Sequence, residues 1–223
     1  MKNVFIAILL VLTLAVCVDA QEQVRGLTGK GIKVGINISN FSGSEVGMVS
    51  ARTGFGFGGF LTYNLSPQFA VQPEVLYMQK GTEYDFIATM TWAANYFEIP
   101  VLAKYTIPTS GNIKPGFFAG PAVALLLGSS IKVEYEGVTE LDWDVKDGLK
   151  STDFGLVFGG GVTYQMTSVS LTFDIRYTLG LTKFIDVEGF NSLEPPDGSE
   201  PPVTDEEVDS KNQNLSFLVG VSF

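Results

Sequence analysis

Val169-Ser170-Leu171-Thr172-Phe173-Asp174-Ile175-Arg176-Tyr177-Thr178-Leu179 alternates without a break. The odd positions are large and apolar. The even positions are polar or charged. A period of two belongs to a β-strand, whose side chains point to opposite faces in turn. This strand therefore divides an apolar environment from a polar one. Its length, about ten residues, suits a tilted strand crossing a bilayer.

Seven further segments repeat the pattern. Gly31 to Ser39 sets Ile32, Val34, Ile36 and Ile38 against Lys33, Gly35, Asn37 and Ser39. Thr53 to Tyr63 sets Phe55, Phe57, Leu61 and Tyr63 against Gly54, Gly56, Gly58 and Thr62. Phe69 to Lys80 sets Phe69, Val71, Val75 and Tyr77 against Gln72, Glu74 and Lys80. Asn95 to Tyr105 sets Phe97, Ile99, Val101, Ala103 and Tyr105 against Glu98 and Lys104. Gly116 to Leu127 sets Phe117, Val123, Leu125 and Leu127 against Gly116, Gly120, Ala122 and Ala124. Asp153 to Tyr164 sets Phe154, Leu156, Phe158, Val162 and Tyr164 against Asp153, Gly155, Gly159, Gly161 and Thr163. Leu215 to Phe223 sets Leu215, Phe217, Val219, Val221 and Phe223 against Ser216, Gly220 and Ser222.

A soluble sandwich also alternates, but two features separate this chain from one. Aromatics gather near strand ends on the apolar face (Tyr63, Phe69, Tyr77, Tyr105, Tyr164, Tyr177, Phe223), as interfacial girdles do. The opposite face is too glycine-rich for ordinary solvent exposure and suits a narrow lumen. A charged fraction of only 17% fits the same reading. The expected fold is all-β: an eight-stranded antiparallel up-and-down transmembrane β-barrel. Lipid leaves no other way for a sheet to cross, because a closed ring has no unpaired edge.

The connections alternate in length. Residues 64–68, 106–113 and 165–168 are short turns, whereas 41–52, 81–94, 128–152 and 182–214 are longer loops. That asymmetry is the outer-membrane arrangement: termini and short turns periplasmic, long loops extracellular. The last loop carries nine acidic residues against Lys183 and Lys211, within a chain of net charge −10. Nucleic acid is excluded as a partner by that balance. The Pro-rich stretch Glu194 to Asp209 reads as a solvated loop tip.

Residues 1–20 read as a cleaved signal peptide. Lys2 gives the positive start, Val4 to Val18 the apolar run, and Val18-Asp19-Ala20 the small-residue cleavage site. A lipoprotein signal ending at Cys17 is the weaker alternative, since Val16 is a poor residue before a lipidated cysteine. The barrel domain is then 21–223, without cysteine, so disulfides have no part in it.

Chemistry is sparse. The chain has no histidine, which removes imidazole bases and ligands. Gly54, Gly56 and Gly59 match a dinucleotide fingerprint in spelling only, since they alternate with Phe inside a strand and no helix follows. No cofactor is expected. Inward-facing Lys33, Glu74, Lys80, Glu98, Lys104, Asp174 and Arg176 are expected to form a lumen charge network, because charges in a narrow interior must pair. Glu74 and Glu98 lie on neighbouring strands, so an acid/base pair was the catalytic alternative. Glu134, Glu136, Glu140, Asp142 and Asp144 alternate, which marks the solvent face of strands extending past the membrane rather than a calcium loop. No metal site is expected. Loop hydrophobics Phe86, Ile87, Met90, Trp92, Trp143, Phe184 and Phe190 are expected to pack the loops together.

Several motifs resemble PorT-like outer-membrane β-barrel proteins. They are Gly31-Ile32-Lys33-Val34-Gly35-Ile36-Asn37, Gln72-Pro73-Glu74-Val75-Leu76-Tyr77, Tyr96-Phe97-Glu98-Ile99-Pro100, Gly120-Pro121 and Arg176-Tyr177-Thr178-Leu179-Gly180-Leu181. The resemblance runs from Lys30 to Phe223. It implies a barrel of the OmpA and OmpX size class, and some relatives are linked to a secretion and gliding apparatus.

The final strand, with Phe217, Val219, Val221 and Phe223 outward, resembles the terminal signal that the barrel-assembly machinery reads on unfolded barrels. Expected partners are therefore outer-membrane lipid, that machinery during biogenesis, and an unidentified envelope or extracellular protein. The expected role is non-enzymatic: a structural or interaction protein, with a narrow channel for ions or very small solutes as the alternative.

Overall fold

The computed structural model describes residues 25–42, 50–85, 89–135, 138–195 and 210–223. The expected signal peptide and most of Glu194 to Asp209 lie outside the described residues, as do Phe86, Ile87 and Glu136. Nine strands follow in chain order: β1 (Gly26–Ser42), β2 (Ser50–Asn64), β3 (Phe69–Asp85), β4 (Thr89–Thr106), β5 (Ile113–Tyr135), β6 (Val138–Asp144), β7 (Thr152–Gln165), β8 (Ser170–Gly180) and β9 (Lys211–Ser222). A 3-10 turn (Lys146–Gly148) and one short helix, α1 (Val187–Asn191), complete the described elements.

Every pairing is antiparallel. β1 to β5 pair in chain order, then β5 pairs with β7, β7 with β8 and β8 with β9. β9 returns to β1, from Gly31↔Ser222 to Ser42↔Lys211, and closes a ring of eight strands. Closure satisfies both edges of the sheet, the condition for crossing lipid without a helix. Among the described residues no helix is long and apolar enough to cross a membrane.

Each expected strand has its counterpart in the ring, but two expected loops are largely sheet. Within 81–94, β3 and β4 stay paired from Gly81↔Ala93 to Asp85↔Thr89. At Gly81, where the expected loop begins, a φ of +144° lets the strand pass through a backbone state that few other residues adopt. The β2–β3 register shifts between Ala51 and Gly56, over the same stretch. Within 128–152, β5 runs on to Tyr135 and turns into β6, which pairs only with the outer half of β5, as in Lys132↔Asp142. Of the alternating acids, Glu134 stands on the outer end of β5 and Glu140, Asp142 and Asp144 on β6. Asp142 and Asp144 are exposed, and Asp142 pairs with Lys132 at 3.2 Å.

The two faces of the ring are as unlike as the alternation requires. Outward stand Ile32, Val34, Phe55, Phe57, Val101, Phe117, Phe158, Phe173 and Ile175, all exposed. Outward aromatics make close pairs: Phe69 with Tyr105, Phe57 with Tyr77, Phe158 with Tyr177. Phe69 and Tyr77 on β3 are separated by roughly 20 Å along the axis, taking about 3.3 Å per residue and about 40° of tilt. The two aromatic rows flank most of an apolar band, which measures about 25 Å in outer-membrane barrels.

Candidate functional site

The inner face is filled, and its filling is organised in levels. In the middle, Lys33 of β1 stands between two carboxylates, 2.8 Å from Glu74 Oε1 and 2.9 Å from Asp174 Oδ2. Arg176 closes the square from β8. Its Nη1 donates to Glu74 Oε2 at 2.7 Å, and its Nη2 lies 3.4 Å from Asp174 Oδ2. Two cations face two anions, so the cluster is neutral. The Lys33, Glu74 and Arg176 side chains are 1% exposed or less. Burial at this depth demands full pairing, since an isolated charge here costs several kcal/mol.

Gln72 extends the square toward the short-turn end. Its Nε2 donates to Glu74 Oε1 at 2.6 Å, and its Oε1 accepts from Lys104 Nζ at 3.0 Å. Aromatic faces line the cations: Phe60 lies 4.7 Å from Lys33 Nζ, and Phe118 lies 5.5 Å from the Arg176 guanidinium carbon.

Toward the long-loop end a second pair stands apart from the first. Lys80 Nζ lies 2.7 Å from Glu98 Oε2 and 5.0 Å from the Tyr96 ring centroid. Asp153 joins this level, accepting from Asn212 Nδ2 at 2.9 Å and from Thr182 Oγ1 at 2.5 Å. The seven expected network residues are thus all at least partly buried, but they form two centres rather than one. Glu74 answers Lys33 and Arg176, whereas Glu98 answers Lys80. The expected acid/base pairing of Glu74 with Glu98 is not among the contacts of the described residues; each carboxylate is ion-paired to its own cation.

The inner face is also more apolar than the reading of it as small, polar or charged. Phe60, Leu76, Met78, Tyr96, Leu102, Phe118, Val157 and Leu218 all point inward and are buried. The glycines explain how they fit. Gly56 faces the Met78 side chain, Gly58 faces Leu76, Gly35 faces Leu218, and Gly159 faces Phe118. A narrow ring holds a large side chain on one strand only where its neighbour has none.

Above the second pair, the long-loop mouth is capped. Phe41, Tyr96, Leu126, Leu149 and Phe184 form a buried cluster, with Trp92 and Ile185 packed against it. Leu149 and Ile185 bridge the two covering segments. Trp92 stacks with Phe190, which also meets Trp143. Of the loop hydrophobics, Trp92, Trp143, Phe184 and Phe190 pack together as expected, Met90 is exposed, and Phe86 and Ile87 lie outside the described residues.

At the opposite end the lumen opens into a vestibule of about 390 Å³, reaching from the turns to Phe60, Phe118 and Asp174. The sequence reading had no counterpart for it. Among the described residues no three carboxylates, cysteines or histidines gather closely enough to hold a metal ion. In β9, Val219 and Phe223 are exposed outward, and Phe217 and Val221 are half-buried at the seam with β1.

Among solved structures, the chain is similar to Neisserial surface protein A at 18% identity and a TM-score of 0.47, over 89% of this chain and 99% of that one. It is similar to Ail, the attachment invasion locus protein of Yersinia pestis, at 13% identity and a TM-score of 0.43, over 89% and 99%. OprG from Pseudomonas aeruginosa matches at 11% identity and a TM-score of 0.44, over 92% and 99%. No curated protein matches the chain in sequence. The family model described as "Outer membrane protein beta-barrel domain" matches residues 20–186, three quarters of the length. With an eight-stranded closed ring beneath that match, the chain belongs to the outer membrane protein β-barrel family.

Proposed function

We propose that this outer-membrane barrel is a closed, non-enzymatic scaffold that works by presenting surfaces to protein partners. Its short turns and termini face the periplasm, and its long acidic loops face outward. The PorT-like motifs point the same way, toward service in a secretion or surface-assembly apparatus. One observation carries the reading: the lumen is blocked at three successive levels, by the Lys33–Glu74–Asp174–Arg176 square, the Lys80–Glu98 pair and the aromatic cap around Phe184. A pathway filled by ion-paired groups of balanced charge has neither the room nor the unbalanced charge that conduction needs.

The vestibule favours a second reading, a narrow channel, because it is an aqueous entry already formed at one end. Planar-bilayer recording separates the two. A scaffold gives no discrete conductance in the wild type. A channel gives unitary steps that change in Glu74→Gln or Arg176→Ala. For the scaffold, cross-linking in intact cells recovers a specific envelope or extracellular protein. If the acidic loop carries the contact, deleting residues 194–209 abolishes that recovery; an unchanged yield assigns the contact elsewhere.

A further inference from the structure

We propose that the vestibule at the short-turn end is a binding site for a small oxyanion, a phosphate- or carboxylate-bearing solute. Two observations meet there. First, two lysines line the vestibule, and neither has a carboxylate partner among the described residues: Lys104 Nζ donates to Gln72 Oε1 at 3.0 Å, and Lys114 Nζ donates to the Thr109 carbonyl at 2.6 Å. An ammonium has three protons to give, so each retains donor capacity after the contact described. Asp174, the carboxylate at the inner end, is already taken by Lys33 and Arg176. Counting Lys33, Arg176, Lys104 and Lys114 against Glu74 and Asp174 leaves two positive charges in excess at this end of the lumen.

Second, the wall is built of short polar side chains, with Thr62, Thr163, Thr172, Ser170 and Ser222 all lining it. The volume of about 390 Å³ is that of a small-molecule site. Donors from β4, β5 and β8 converge on one space bounded by Phe60 and Phe118, and the rigid ring fixes their positions before any ligand arrives. The chemistry selects small multivalent anions. It rejects cations, and it excludes apolar solutes by the cost of stranding the lysines.

The site is independent of the scaffold reading, since a blocked barrel and a conducting one both keep the vestibule. The test uses the full-length processed barrel refolded in lipid nanodiscs, with methyl-labelled threonine observed by NMR. Inorganic phosphate is titrated at constant ionic strength, with citrate as the carboxylate arm and chloride as the control. Wild type should show a saturable shift of the Thr172 methyl with phosphate or citrate and none with chloride; which anion saturates first identifies the preferred group. Lys104→Gln with Lys114→Gln should weaken the affinity about tenfold or more. Should the double variant misfold, Lys114→Gln alone removes one ammonium and should weaken binding as read from the Thr62, Thr163 and Thr172 methyls. Shifts that never saturate, that chloride reproduces, or that survive unchanged in the variants would overturn the site.

Discussion

Glu74→Gln is the perturbation that the interior resists most. The carboxylate is fully buried and accepts from Lys33, Gln72 and both terminal nitrogens of Arg176, at 2.8, 2.6, 2.7 and 3.3 Å. A glutamine keeps the shape but removes the charge, leaving Lys33 and Arg176 with Asp174 as their remaining carboxylate. The square then holds one net positive charge on deeply buried side chains. Breaking a buried pair in this way costs about 3–5 kcal/mol. Asp174 stays within 2.9 and 3.4 Å of the two cations, so the lower end, about 3 kcal/mol, is expected here. Adding Lys33→Met restores neutrality. The double variant should therefore be more stable than the sum of the single losses by about 1–3 kcal/mol. Urea unfolding in lipid vesicles, followed by Trp92 and Trp143 fluorescence, gives each value by linear extrapolation. A loss below about 1 kcal/mol for Glu74→Gln, together with strict additivity in the double variant, would mean that the interior is hydrated and the square screened.

Lys80→Met strands Glu98 and should cost about 3–5 kcal/mol in the same assay, most of it recovered by adding Glu98→Gln. Phe184→Ala empties the cap and should cost about 3–5 kcal/mol, while opening the half-buried Lys150, whose N–H donates to the Phe184 carbonyl, to limited trypsin digestion. Gly120→Ala drives a methyl into the Val101 carbonyl and should destabilise by about 1–3 kcal/mol, whereas at Gly56 the obstacle is the flexible end of Met78 and the cost should be smaller.

The faces of the sheet were legible because parity is rigid: a residue one position along must point the other way. Every residue of the expected charge network therefore faces the lumen. Height in the barrel was not legible. Whether Lys33 meets Glu74 or Glu98 depends on how far each strand is staggered against the next, and no single strand records that stagger. Asp153 shows the same limit. Parity put it inward, but its place beside Asn212 and Thr182 follows from two inter-strand registers. Inward apolar residues were hidden for a different reason. In Val75-Leu76-Tyr77-Met78 both faces are apolar, so alternation is silent there. Leu76 and Met78 belong inside because Gly58 and Gly56 of the neighbouring strand leave space, a cross-strand fact. The β5–β6 hairpin was marked by its alternating acids, yet loop length alone could not show that they stand on paired strands.

The account rests on the outward face meeting hydrocarbon and the inward face being enclosed. A cysteine scan along β9 tests this directly, because the chain's one native cysteine, Cys17, lies outside the barrel strands and is replaced first. Nitroxides at Leu215, Phe217, Val219 and Val221 in lipid vesicles should show high oxygen accessibility and low accessibility to a polar relaxation agent. Nitroxides at Ser216, Leu218 and Gly220 should be shielded from oxygen. Loss of that two-residue period, or outward labels reporting water or protein contact instead of lipid, would contradict the account.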